Sequence, residues 1–283
     1  MNLMNSQISE EGDGSFKPSK FTLFMGTKSK TDYKNPKYAD PYKGDKKILV
    51  FCTDEGKMKM ENGKVFNTGN HPIEMFGPML YMRDAGFKFD FATSSGNPVV
   101  LEMWAYPTKD KNVKEMHEEV KSLMESPKKI SDITSLDDYA AVFIPGGHGA
   151  MLNLPTNAAL GKLLHIAHER SLPTVTLCHG PAALLSTCAE GLDKEFAYKG
   201  YEAMCFTDKT DAFTPKIGYL PGPMPWKCEA AVKDKGLKIM NSTEKGGTHV
   251  DRELITGDSP YAGTILGRLA APIILKYAKD NNL

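Results

Sequence analysis

From Lys47 onward the chain alternates short apolar runs with longer stretches in which apolar side chains recur every three to four positions. The short runs, at 48–53, 88–93, 140–144, 173–177, 202–206 and 237–240, are rich in β-branched, aromatic and small residues and predict strands; a late hairpin is predicted around 249–255. Helical spacing fits 71–85, 113–124, 157–169, 180–188, 225–235 and 260–278. In the last of these Ile265, Leu266, Leu269, Ile273, Ile274 and Tyr277 fall on one face, and Pro272 predicts a kink. The strand runs are continuously apolar, as strands covered on both faces are, so the pattern predicts a parallel sheet with crossover helices, a doubly wound α/β sandwich.

Two segments fall outside this rhythm. Residues 1–46 are polar with no regular period, yet carry Phe16, Phe21, Phe24, Tyr33, Tyr38 and Tyr42, which predicts an extended arm that packs on something. Residues 97–135 interrupt the strand–helix alternation and are expected to join the arm as a small cap beside a main domain of 47–283.

Charge and cysteine content narrow the setting. Lys plus Arg equals Asp plus Glu, 35 against 35, so no overall field favours a nucleic acid or a membrane surface, and a small neutral ligand or a protein surface is the expected partner. The five cysteines stand singly, without a CxxC pair, and their odd number leaves one unpaired in any disulfide scheme. That predicts a reducing compartment. The first twenty residues have neither a basic nor an apolar leader region, and no window is as long as a membrane span, which gives a cytoplasmic expectation.

The candidate chemistry collects where strands end. In "TVTLCHGPAALLS", Cys178 follows a strand and precedes a helix, the arrangement of a nucleophile elbow, where the positive end of the helix would favour a thiolate. Cys188, Cys205 and Cys228 read as ordinary small apolar residues, and Cys52 lies at the end of the first strand without an argued role. "FIPGGHGAM" ends another strand in glycines. Its amides at Gly146 and Gly147 either form an oxyanion hole with the amide following Cys178 or simply let a loop pass close to the sheet. In "NTGNHPIEMFGPM", Glu74 is either a capping-box residue or a protonated carboxyl aimed at Cys178. In "FTDKTDAFTP", Asp208 and Asp211 both stand where one could orient a histidine.

Taken together, "NTGNHPIE", "PGGHGA", "TLCHGPAALL", "IGYLPG" and "LITGDSP" resemble the ThiJ/PfpI superfamily, in its long-form branch of heat-shock chaperones that are also glutathione-independent glyoxalases, glyoxalase III. The resemblance implies a flavodoxin-like sandwich and a homodimer, with Cys178 as nucleophile, His179 and Asp211 completing a triad, and Glu74 beside it. Gly147 and the amide of His179 would form the oxyanion hole. It also implies a hydro-lyase converting methylglyoxal or glyoxal to lactate or glycolate without a cofactor, and possible partners among glycated or unfolded proteins. Long bacterial members of the branch carry a two-histidine, one-glutamate metal site. Its positions fall here on Arg83, Lys88 and Val120, which cannot form one, so no metal is expected there; nearby His117 reads as a surface residue. Competing readings are a holdase chaperone without enzyme activity and a cysteine amidohydrolase.

Overall fold

A computed structural model describes residues 8–26 and 29–283, leaving out the side chains of 24–26. The first seven residues and the arm's Phe24 side chain lie outside the described residues. Seven strands form the central sheet: β1 (Lys47–Cys52), β2 (Phe89–Thr93), β3 (Lys128–Lys129), β4 (Tyr139–Ile144), β5 (Thr174–Leu177), β6 (Thr248–Asp251) and β7 (Leu254–Gly257). Their order is β6-β7-β5-β4-β1-β2-β3. Every neighbouring pair is parallel except the β6–β7 hairpin.

Strand periodicity divides the core in two. Ile48, Val50 and Cys52 of β1 face a cluster supplied by helices α1 (Pro72–Asp84), α2 (Lys111–Glu125) and α4 (Gly263–Asp280). Leu49 and Phe51 face the opposite cluster, built with α3 (Ala158–Glu169) and the segment after β5. Burial on both faces is why these strands read as unbroken apolar runs.

Several expectations are corrected. Residues 180–188 form a 3₁₀ helix, not an α-helix. Of 202–206 only Glu202–Ala203 is strand, and it pairs with Lys238–Ile239 outside the central sheet. The amides of the next residues are taken by tertiary partners: Met204 N donates to Thr256 Oγ1 at 2.8 Å and Phe206 N to the Cys178 carbonyl at 2.9 Å. The α4 helix runs through Pro272, and its fully buried stripe is Leu266, Gly267, Ala270, Ala271 and Ile274, while Ile265, Leu269, Ile273 and Tyr277 are half-buried. Small residues at close helix contact do not stand out in a hydrophobic pattern.

Outside the sandwich, the arm's Ser9–Glu10 and Phe16–Lys17 join Val65–Asn67 and Lys57–Lys59 in a separate four-stranded sheet. The 97–135 segment divides. Its first part runs along this small sheet, with Leu101 bridged to Asn70 and the Trp104 indole donating to the Asn67 carbonyl at 2.9 Å. Its later part supplies α2 and the edge strand β3 to the main sandwich. Among the described residues no helix is long and apolar enough to cross a membrane.

Candidate active site

β5 ends at Leu177, and the chain turns so sharply that Cys178 takes φ 58°, left-handed territory a non-glycine residue enters at a cost. Two backbone bonds hold it there: its N–H donates to the Gly257 carbonyl at 2.9 Å, and its carbonyl accepts from Phe206 N at 2.9 Å. The thiol is 3% exposed. Its Sγ lies 3.3 Å from Nδ1 of His179.

Nε2 of His179 lies 2.8 Å from Oδ2 of Asp211, and Nε2 of His148 lies 3.0 Å from Oδ1 of the same carboxylate. The two imidazoles hold the Asp211 carboxyl well below the usual carboxylate range, against the opposing effect of its burial. An ionised carboxylate only accepts, so both Nε2 atoms must donate, which leaves Nδ1 of neutral His179 as an acceptor facing the thiol. Asp208 goes elsewhere: its two oxygens accept from the amides of Glu229 and Ala230 at 3.0 and 2.8 Å, at the start of the helix Cys228–Asp234.

Glu74 sits in the first turn of α1, preceded by His71, which makes no side-chain capping bond. Both carboxyl oxygens of Glu74 are buried without a hydrogen-bond partner among the described residues. They turn toward the 145–149 loop: a Cβ on Gly146 would stand 2.0 Å from Glu74 Oε2 and 2.7 Å from Cys178 Cβ. Only glycine allows carboxyl, loop and thiol to meet. Gly147 beside it has φ 100°, and a Cβ there would stand 2.5 Å from the Gly69 carbonyl.

Burial pushes the Glu74 carboxyl well above its ordinary range; the nearby thiol and the Gly147 amide oppose the rise, while Glu102 and Asp258 add to it. The Cys178 thiol is likewise pushed up, first by burial and then by the charge of Glu74, with the Gly147 amide opposing. That direction runs against a thiolate favoured by the following helix. That helix is a 3₁₀ helix, and desolvation outweighs its end. Two neighbouring acids in so dry a site ionise as a pair, and the first proton lost leaves one charge between them.

Three further titratable groups border the site: His148, Glu102 and His71, of which the sequence pattern assigns only His71 a place, as a candidate helix cap. His148 directly follows Gly146-Gly147 at a strand end, a position that by itself signals a site histidine. Its ring is 4.1 Å from that of His179 at 34°. Glu102, in the segment read as cap, is fully buried; burial pushes it up to about 7, with His148 and the Thr68 hydroxyl, which donates to Oε1 at 2.7 Å, opposing. His71 is pushed down to about 3 by burial, helped by His148.

Of the positions matching the branch's metal site, Arg83 pairs with Asp84 at 3.2 Å and Glu119 at 3.5 Å, Lys88 is exposed, and Val120 is in the core. His117 is half-buried, with Nδ1 3.0 Å from the Tyr106 hydroxyl. Donor atoms of His148, His179 and Asp211 lie within 4.8 Å of one another, a spacing a small cation could use, but the two histidine–aspartate bonds already occupy them.

The DJ-1/PfpI family pattern matches residues 65–201, a span that contains Glu74, Gly147, Cys178 and His179 and stops before Asp211. The chain is 43% identical over 267 residues to the protein/nucleic acid deglycase HchA of Pseudomonas aeruginosa (strain UCBPP-PA14), covering 92% of each chain. It is 40% identical over 275 residues to the protein of the same name from Escherichia coli O157:H7, covering 96% of each. Among solved structures, glyoxalase III of Candida albicans superposes with a TM-score of 0.63 at 21% identity, over 80% of this chain and 97% of that one, a likeness of fold. With such identity across nearly the whole of both chains, and the strand-end cysteine and flanking loops in the matched span, this chain belongs to the DJ-1/PfpI family.

Proposed function

We propose that the chain is a glutathione-independent glyoxalase that converts methylglyoxal to lactate and glyoxal to glycolate, and that the same aldehyde chemistry removes early dicarbonyl adducts from proteins. The observation that carries the reading is Cys178 itself, a buried thiol at positive φ, 3.3 Å from His179 Nδ1 and beside the unpartnered Glu74. The relatives named protein/nucleic acid deglycase support it and widen the substrate class to glycated nucleic acid, which the neutral composition had argued against.

The reaction is an internal redox exchange and needs no outside electron carrier. The thiol proton passes to Nδ1 of His179 as sulfur bonds to the aldehyde carbon, and the carbonyl oxygen takes a proton to give a hemithioacetal. The amides of Gly147 and His179 face the developing oxyanion. A base, His179 once it has passed its proton to that oxygen, or Glu74, removes the hydrogen on that carbon as a proton. The enediol is reprotonated on the neighbouring carbon, so the first carbon is oxidised to a thioester and the second reduced to an alcohol. Water then cleaves the thioester, releasing the 2-hydroxy acid and restoring the thiol.

The deciding experiment compares wild type with Cys178→Ala, following methylglyoxal loss and lactate formation without glutathione and with a chelator present. Lactate from wild type alone is the expected result. Lactate from neither removes the glyoxalase reading.

A second reading, a holdase surface, draws on one place: exposed Phe21, Phe213 and Ile217 lie on segments joined by the Ser19 N–Gly218 O bond and by Thr22 Oγ1 donating to the Ile217 carbonyl. Cys178→Ala should then keep its suppression of client aggregation. The proposal further includes a homodimer, as the family resemblance implies, in a reducing cytoplasm, for which the five free cysteines are the support.

A further inference from the structure

The proposed reaction uses Cys178, His179, Asp211 and Glu74 and leaves a second buried histidine against the same carboxylate. His148 opens the turn His148–Met151 directly after Gly147, so it comes from a different loop than either Cys178 or Asp211. Its ring is packed against His179 at 4.1 Å, Phe66 at 5.6 Å, Tyr219 at 6.2 Å and Phe206 at 6.4 Å, which leaves the imidazole little freedom. Its Nε2 reaches the Asp211 oxygen that His179 does not use.

A carboxylate held by one hydrogen bond can turn about its last side-chain torsion, and the imidazole it orients turns with it. A second donor on the other oxygen, supplied from another loop, fixes the plane of the group. It also draws off part of the carboxylate's charge, so that less of it acts on His179. The ionisable groups around His148 are Asp211, His179, His71, Glu102 and Tyr219, and those around His179 are Cys178, Asp211 and His148.

We propose that His148 is a positioning residue of this site: its Nε2–H fixes the plane of Asp211 and shares its charge, so that His179 is presented to Cys178 with Nδ1 free. The role in turnover rests on the glyoxalase reading; the effect on Cys178 does not. His148 touches no reacting atom and acts through Asp211.

The test uses the full chain as wild type, His148→Phe and His148→Gln. Phenylalanine keeps a ring in the stack and removes the donor; glutamine places an amide N–H near Nε2 and cannot titrate. Two quantities are read: kcat and KM for lactate formation, and the pH dependence of iodoacetamide alkylation at Cys178. His148→Phe should lower kcat by about 10- to 100-fold with KM within about twofold, as expected for a misoriented base. With the full Asp211 charge now acting on His179, the imidazolium–thiolate pair is favoured, and the alkylation midpoint should move to lower pH by about half a unit to one unit. His148→Gln should restore the midpoint and most of kcat.

An unmoved or upward midpoint in His148→Phe, or a glutamine variant as impaired as the phenylalanine one, overturns the proposal and leaves His148 a packing residue. Nitrogen-15 spectra of imidazole-labelled wild type give a check that needs no variant: both histidines should be Nε2–H tautomers near neutral pH, and an Nδ1–H tautomer at His148 refutes the role. If wild type makes no lactate while the alkylation midpoints still separate phenylalanine from glutamine, the glyoxalase reading fails and the positioning role stands.

Discussion

Cys52 and Cys178 end two parallel strands of one sheet, at the same edge, and both thiols are buried. Burial raises both. They differ in the backbone at the strand's end. Cys52 completes the β1–β2 register opposite Thr93, its backbone φ is not positive, and burial alone acts on its thiol. Cys178 lies one residue past its ladder in a left-handed turn, which sets its side chain beside His179, Glu74 and the Gly146–Gly147 loop while it still borders the core cluster that holds Cys52. Neither residue type nor burial separates the two thiols. The turn does, by deciding which neighbours the sulfur meets.

The widest separation between the two cysteines should appear in activity. Cys178→Ala is expected to lose at least about 10³-fold in dicarbonyl turnover, whereas Cys52→Ala stays within about twofold; equal losses would erase the distinction. Glu74→Gln keeps the shape but cannot ionise or return a proton, and a fall in kcat of about 10²- to 10⁴-fold is expected, read from initial rates of lactate formation. A wild-type rate in that variant would mean the β5 end needs no carboxyl.

A smaller effect concerns stability and pH. The folded carboxyl of Glu102 titrates near 7, above its unfolded value, so the stability it contributes is fully present below about 4.5 and is lost as pH rises through 7. Relative to Glu102→Gln, wild type should therefore lose about 2–3 kcal/mol between pH 5 and 7.5, measured by urea unfolding. His71, lowered to about 3, acts in the opposite sense: its contribution is present above about 6.5 and is lost as pH falls toward 3. Asp211 adds to that acid loss below the ordinary carboxylate range.

Gly146→Ala drives a methyl group between Glu74 and Cys178 and should cost about 1–3 kcal/mol of stability along with most of the activity, checked by unfolding and rate together. Cys52→Ala, at the quiet strand end, should cost only about 1 kcal/mol. A larger loss of stability there than in Gly146→Ala would reverse the ranking of the two ends.

The motifs that could be read locally lay at strand ends. "TLCHGP" and "PGGHGA" each announce an apolar run stopped by small residues, and a stopped strand in a parallel sheet is where ligands bind. Glu74 was ambiguous because a capping glutamate and a pocket carboxyl occupy the same place in a helix's first turn, and only the position of the 145–149 loop separates them. Asp208 and Asp211 are three residues apart on one short helix and share a face by spacing, so nothing local told that Asp211 meets the histidines and Asp208 the start of the neighbouring helix. Glu102 was hidden in a polar segment, where nothing local signals a fully buried carboxyl. The 180–188 segment has helical spacing whether its hydrogen bonds close at three residues or four.

By itself the sequence determined the doubly wound sheet, its twofold core and the cysteine at a strand end, because periodicity of burial and the stop of a strand are written residue by residue. Only the tertiary structure decided the burial of Glu74 beside Cys178, the choice between the two aspartates and the pairing of His148 with His179. Those depend on distances between side chains far apart in the chain, and on how much water the packed loops exclude from them.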